Sequence, residues 1–170
     1  MSAGENLVTL RPATLGDLET VFSWRNDPFL VARASSQKTV TWEEHVHWFR
    51  ETLAGGQRKM LIVLVDGKPR GQVRFDRIDG QTCVISAYLL QEFTGRGLGV
   101  EAIRKSCEML FGDWQAAKIV ACVREDNLAA RAGFRKAGFR EIAETNLCPP
   151  GHFTLVLERG VRDSAEAGCL

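Results

Sequence analysis

The sequence predicts an α/β domain built on one mixed sheet, and three features of its 170 residues carry that reading. Apolar runs of strand character alternate with segments whose apolar residues recur at helical spacing. Two Asp-Gly pairs, Asp66-Gly67 and Asp79-Gly80, link three of those runs into an antiparallel meander. One glycine-rich loop, Thr94-Gly95-Arg96-Gly97-Leu98-Gly99, then opens a helix, and the strand beyond that helix must return as a parallel neighbour of the last meander strand.

Residues 7–11 read as the first strand. Thr14 caps a helix running to residue 24, with Leu15, Leu18, Val21 and Phe22 at helical spacing. Asn26-Asp27-Pro28 stops it, because a residue before proline is driven out of the helical region. Thr41 caps a second helix over residues 42–53, with Trp42, His45, Val46, Phe49 and Leu53 along one face. The period then changes, giving meander strands over residues 60–65, 70–78 and 81–90. The helix after the glycine loop covers residues 100–111 and buries Ile103, Cys107, Leu110 and Phe111 on one stripe. A strand over residues 118–124, a short helix capped by Asn127, and strands over residues 140–147 and 153–158 complete the domain, which spans residues 5–160. Residues 161–170 read as a disordered polar tail.

With 45% hydrophobic and 25% charged residues and a formal net charge of +1, the composition makes no demand for nucleic acid or a membrane. No apolar run is long enough to cross a bilayer. Met1-Ser2-Ala3-Gly4-Glu5-Asn6 lacks the basic start and apolar stretch of a secretory signal, so a cytoplasmic protein is expected. The five cysteines, Cys83, Cys107, Cys122, Cys148 and Cys169, are odd in number and include no Cys-x-x-Cys pair, which favours reduced thiols. Cys83 and Cys122 fall in apolar strands, where packing is their expected role. No His, Cys or carboxylate cluster has metal-ligand spacing, so no metal is expected.

The chemistry concentrates at the glycine loop. Glycines let the backbone approach a ligand closely, and the first turn of a helix offers N–H groups without internal partners at the positive end of its dipole. A pyrophosphate suits such a site, and a plain strand-to-helix turn is the alternative. Gly97-Leu98-Gly99-Val100-Glu101-Ala102 also satisfies the dinucleotide fingerprint G-x-G-x-x-A, but the strand before it belongs to a meander and the chain lacks a series of parallel units.

Together, Leu89 to Gly99 and the later string Asn127-Leu128-Ala129-Ala130 with Phe134 and Ala137-Gly138-Phe139 resemble the acetyl-CoA core of the GNAT superfamily of N-acetyltransferases. Gly97 and Gly99 match the glycines of its Q/R-x-x-G-x-G/A loop, with Thr94 where Gln or Arg is expected; Asn127, Ala130, Gly138 and Phe139 match its second motif, with Phe134 at the tyrosine position. The resemblance implies about seven strands flanked by four helices, with two parallel strands splayed at the cofactor site. It implies that backbone groups of Leu89 and Leu90 pair with pantetheine amides. It further implies that Thr94, Gly95, Arg96, Gly97, Leu98 and Gly99 hold the diphosphate of acetyl-CoA, and that Asn127, Ala130 and Phe134 line the thiol end. Asn127 serves equally as a helix cap. Arg131 and Arg135 lie one turn apart, either facing the adenosine phosphates or forming a solvated basic face.

Acetyl transfer to an amine needs a proton acceptor and a donor for the developing oxyanion. The resemblance assigns the donor to the Leu89 N–H. Glu125, at the end of the strand facing the cofactor, is the candidate base, and Tyr88 the positioning hydroxyl. Phe134 has no proton to give the departing thiolate.

Acceptor choice is expected in the first fifty residues, where Trp24, Arg25 and Asn26 end the first helix and Trp42 and Trp48 follow. These form a cup for a polar ring or nucleotide, or else the tryptophans close a small core. His45 is expected to pack with a satisfied nitrogen, and His47 to contact substrate. Trp24 to Pro28, Trp42 to Phe49 and Gly71-Gln72-Val73-Arg74-Phe75-Asp76 resemble acetyltransferases of the pseudaminic acid pathway type, which modify the 4-amino group of nucleotide-linked amino sugars. On that resemblance Arg25 and Asn26 contact the sugar or its diphosphate, and Arg74 pairs with a substrate phosphate or with Asp76. A monomer or homodimer acting on a small-molecule amine is expected. Ribosomal-protein N-terminal and aminoglycoside acetyltransferases share this front end, and a non-catalytic acyl-CoA-binding domain is the alternative of another class.

Overall fold

Seven strands form one sheet in the order β1-β2-β3-β4-β5-β7-β6 in the computed structural model, which describes residues 6–143 and 146–160. They are β1 (Val8–Pro12), β2 (Arg58–Val65), β3 (Lys68–Arg77), β4 (Thr82–Leu89), β5 (Lys118–Arg124), β6 (Arg140–Ile142) and β7 (His152–Glu158). The helices are α1 (Leu18–Arg25), α2 (Pro28–Arg33), α3 (Trp42–Ala54), α4 (Leu98–Asp113) and α5 (Leu128–Lys136). The expected domain start at residue 5 and the tail at 161–170 lie outside the described residues.

The meander forms as its turns dictate. Asp66 and Gly67 both adopt positive φ, at 52° and 78°, the geometry a two-residue hairpin between right-twisted strands requires. At the second turn the Asp79 carboxylate instead accepts from the Gln81 and Thr82 N–H groups at 2.7 and 2.8 Å. β4 and β5 are the parallel pair, joined through α4. Alternation along β5 then splits the core in two. Ile119, Ala121 and Val123 face α4 and α5 with Leu98, Ile103, Leu110 and Phe134. On the opposite face Val21, Trp24, Leu30, Phe49 and Ile62 pack beneath α1 to α3.

Three expectations about elements are corrected. The helix expected over residues 14–24 is a 3₁₀ turn at Leu15–Asp17 followed by α1, with Asp17 held by Arg11 at 2.8 Å. Asp27-Pro28 ends α1 but also starts a fifth helix: the Asp27 carboxylate accepts from the Leu30 N–H at 3.1 Å, and proline sits in the first turn, where its missing N–H costs nothing. The strand expected over residues 140–147 stops at Ile142, and the chain turns back through residues 146–151 before β7.

Reduced thiols are corrected as well. Cys122 on β5 and Cys148 in the turn before β7 form a disulfide, with Cα atoms 5.4 Å apart at a sequence separation of 26. The same sheet register that lays β7 beside β5 brings them together. Cys83 and Cys107 are free and buried, and burial pushes the Cys107 thiol up to about 12, so it is chemically quiet. Cys169 lies outside the described residues.

Gly71 sets how closely β3 approaches β4. A Cβ there would lie 2.3 Å from the Tyr88 carbonyl oxygen and 2.7 Å from a Leu89 methyl. Gly71→Ala is expected to push the end of β4 off β3 and cost about 1–3 kcal/mol, read as a lower urea midpoint at unchanged slope.

Candidate functional site

The parallel pairing of β4 with β5 runs from Thr82 opposite Lys118 only as far as Ile85 opposite Ala121. Beyond it β4 stays on β3 through Leu89, and the Leu90 N–H donates to the Arg70 carbonyl at 2.8 Å. Hydrogen bonds on an antiparallel strand alternate sides, so if Leu90 bonds toward β3, Leu89 and Ala87 direct their backbone groups toward the departed β5. The result is a notch edged by unpaired strand.

Both helices that follow these strands begin at the notch. Gly95 and Gly97 take φ of 74° and 78°, and α4 starts at Leu98 with no side chain capping its N–H groups. Phosphate-type anions are the natural occupants of such a helix start. The Thr94 hydroxyl is turned back onto the Gln91 carbonyl at 2.7 Å. Cationic charge comes instead from Arg96 and from Arg70, whose guanidinium carbons lie 5.6 and 4.9 Å from the Phe93 ring centre. Arg70 was missed in the sequence because strand register, rather than loop spacing, delivers it. At α5 the Asn127 side-chain oxygen accepts from the Ala130 N–H at 3.2 Å, so Asn127 is the helix cap. Ala130 packs against the core, and Phe134 is buried within it, edge-on to Phe139 at 5.1 Å. Arg131 and Arg135 both pair with Glu141, at 2.9 and 2.7 Å.

Glu125 is exposed just after β5, four residues past the last paired residue Ala121, as Leu89 is four past Ile85. Its backbone N–H is held by the Gly151 carbonyl at 3.0 Å. Tyr88 is half-buried and donates to Gln72 Oε1 at 2.9 Å. Desolvation raises its phenol well above the ordinary range, which suits a hydroxyl that stays protonated and donates to Gln72.

On the α1-to-α3 face Trp24 is buried, edge-on to Tyr88 with ring centres 6.2 Å apart. Arg25 and Arg74 lie over the same Trp48 ring, at 4.3 and 5.4 Å. Arg74 is paired with Asp76 at 2.8 Å. Among the described residues Arg25 has no hydrogen-bonding acceptor, and Glu44, whose field reaches it, is spent on the Thr41 N–H. Burial, then the neighbouring Arg74, depress its pKa. A partly desolvated guanidinium without a hydrogen-bonding acceptor, seated on an indole, has donors free for an anion. Asn26 holds the Val40 N–H and carbonyl at 2.8 and 3.1 Å, so its amide fixes the approach to α3. His45 is fully buried, neutral because burial depresses its pKa, and bonds through Nε2 to the Leu18 carbonyl at 2.8 Å. His47 stands on the outer side of α3, paired with Glu51 at 3.2 Å, and is not brought together with Trp24 and Arg25.

A family model for the acetyltransferase (GNAT) domain matches residues 8–140 of this chain. The chain belongs to the GNAT acetyltransferase family. Among curated proteins, acetyltransferase PseH of Campylobacter jejuni is 25% identical over 81 residues, 48% of this chain and 51% of that protein, so the match spans about half of its length. A structure of AAC(6')-Ib in complex with ribostamycin and coenzyme A superposes with TM-score 0.82 at 23% identity, covering 95% of this chain and 99% of that one. The crystal structure of C. jejuni N-acetyltransferase PseH gives 0.66 at 17% identity, covering 90% and 99%. Among the described residues of this GNAT domain no group of three His, Cys, Asp or Glu residues could hold a metal ion, and no helix is long and apolar enough to cross a membrane.

A Cβ added at Gly97 meets no atom within 4 Å, so what forbids a side chain there is the backbone, held at φ of 78°. Gly97→Val is expected to cost about 1–3 kcal/mol of local strain, relieved by unwinding the first turn of α4. Calorimetry should then show the binding of coenzyme A lost while the circular dichroism of the fold is kept.

Proposed function

We propose that this GNAT domain transfers an acetyl group from acetyl-CoA to the 4-amino group of a nucleotide-linked amino sugar, by direct attack in a ternary complex. The observation that carries the acceptor side is the unpaired Arg25 guanidinium seated on Trp48 with Arg74 beside it. A sugar nucleotide brings the diphosphate such a group wants and a planar base for aromatic surfaces. A polycationic aminoglycoside would instead meet like charge.

On the cofactor side, the residues of the notch fit acetyl-CoA by their backbone chemistry. The open edge at Ala87 and Leu89 can add the pantetheine arm as a strand, through its amides, whereas the Leu90 backbone expected to share that role is already bonded to Arg70 and Phe93. The first N–H groups of α4, at Leu98 and Gly99, would hold the diphosphate, with Arg96 and Arg70 supplying charge. Acetyl-CoA provides the thioester that the amine attacks.

As the amine nitrogen bonds to the carbonyl carbon, the Leu89 N–H would stabilise the oxyanion. Glu125, directly or through water, would accept the ammonium proton before or during attack. Collapse breaks the carbon–sulfur bond, the electron pair leaves on sulfur, and the second proton of the attacking nitrogen is released to water to leave the neutral amide. Phe134 is buried and aprotic, so it gives no proton to the departing sulfur; water or another group supplies one, or the thiolate leaves unprotonated, as a thiol of ordinary pKa allows.

Thiol release with acetyl-CoA and a UDP-4-amino-4-deoxy sugar, measured beside ribostamycin, tests the reading. The sugar nucleotide should be preferred in kcat/KM, and Arg25→Ala should lower that value by about tenfold or more, the worth of a charged hydrogen bond. Faster turnover of ribostamycin would overturn the acceptor assignment. Binding of acetyl-CoA without turnover of any amine would favour a non-catalytic binding domain. Glu125→Gln should reduce kcat about a hundredfold with little change in either KM, and an unchanged kcat would remove Glu125 from proton transfer.

A further inference from the structure

The disulfide belongs to neither the core nor the cofactor notch, and its position gives it work. Strand pairing lines up one transverse row on the α1-to-α3 face of the sheet. Arg74 on β3 stands opposite Ser86 on β4, and Cys122 on β5 stands opposite Thr154 on β7. Ile85 pairs with Ala121, so Ser86 and Cys122 are each the next residue on strands that run the same way and share this face.

Ser86 is exposed although β4 is the middle strand of seven. The middle of this face is therefore open to solvent. On one side of the opening stand Arg74, Trp48 and Arg25. On the other the turn before β7 lies over the sheet, tied at its end by the Glu125 N–H to the Gly151 carbonyl and near its middle by the Cys122–Cys148 bond, with Cys122 Sγ 3.7 Å from the Leu147 carbonyl oxygen. That turn, residues 146–152 with Thr154, lines a cavity of about 760 Å³. The last turn of α2 and the segment after it close toward the same place, through Arg124 donating to the Ala32 carbonyl at 3.1 Å and a 3.3 Å contact between Ser35 Oγ and His152 Nε2.

We propose that Cys122 and Cys148 are positioning residues for the acceptor: oxidised, they clasp the turn as the far wall of the acceptor cleft, and reduced, they release it. This rests on the acetyltransferase reading above for what the cleft holds. The cofactor's contacts at Leu89 and α4 are made by other elements, so they should be indifferent to the clasp. Reduction by dithiothreitol supplies two electrons and two protons, leaving two protein thiols and the cyclic disulfide of the reagent.

The experiment compares the full chain oxidised, after dithiothreitol, and as Cys148→Ser and Cys122→Ser variants. Amide exchange should quicken in residues 146–152 and 32–37 on reduction and stay unchanged at the start of α4. With the UDP-4-amino-4-deoxy sugar as acceptor, KM should rise about tenfold or more while KM for acetyl-CoA stays within about twofold. Both serine variants should match the reduced protein and ignore dithiothreitol. Unaltered exchange in the turn overturns the proposal, as does a parallel loss of acetyl-CoA affinity, which would make the bond a general structural brace. A turn that loosens on reduction in a protein that acetylates no sugar nucleotide upholds the clasp and removes the acceptor assignment. Absence of any heat with acetyl-CoA in every form removes the transferase reading itself.

Discussion

The parting of β4 from β5 after Ile85 and Ala121 governs the rest of the molecule. A sheet that stops pairing in its middle leaves backbone donors and acceptors exposed between two strands, and such groups seek partners. Gly71 keeps β4 pressed on β3, so that the unpaired side of Leu89 faces the gap. α4 and α5 each start from the end of one of the parting strands, which gathers their free N–H groups at one mouth. A ligand with amides along its length and a diphosphate at one end meets both demands at once.

The two faces of the sheet divide the labour. Behind the notch α4 and α5 pack a continuous apolar core, in which Phe134 is a structural ring. In front, burial is incomplete and charge is partly unpaired, as Arg25 on Trp48 exemplifies. Desolvating a cation costs free energy in the folded protein, and an anion arriving at that position would offset part of the cost.

Local chemistry was the readable part of the sequence. Asp66-Gly67, Thr41 with Glu44, the α4 glycines and β5 are all specified within a few residues, and each forms where spacing places it. α2 escaped notice because a single dipeptide carries two messages, a stop for α1 and a start for the next turn of helix. Whatever depends on residues far apart was invisible. Arg70 reaches Phe93 through register, Cys122 meets Cys148 across 26 residues, and Asn26 is consumed by Val40. The outward placement of His47 was readable in principle, since it lies opposite the buried His45 and Phe49 on one helix turn.

The order of the last strands bears on how this protein is made. β7 is the last strand among the described residues, yet it sits between β5 and β6, while β5 pairs with β4 over four residues only. Until residue 158 has left the ribosome, one long edge of β5 stays bare and β6 has no neighbour at all. The nascent chain therefore passes through a stage in which its first four strands can already pair as a meander while β5 and β6 present unpaired edges, the kind of exposure that invites wrong pairing.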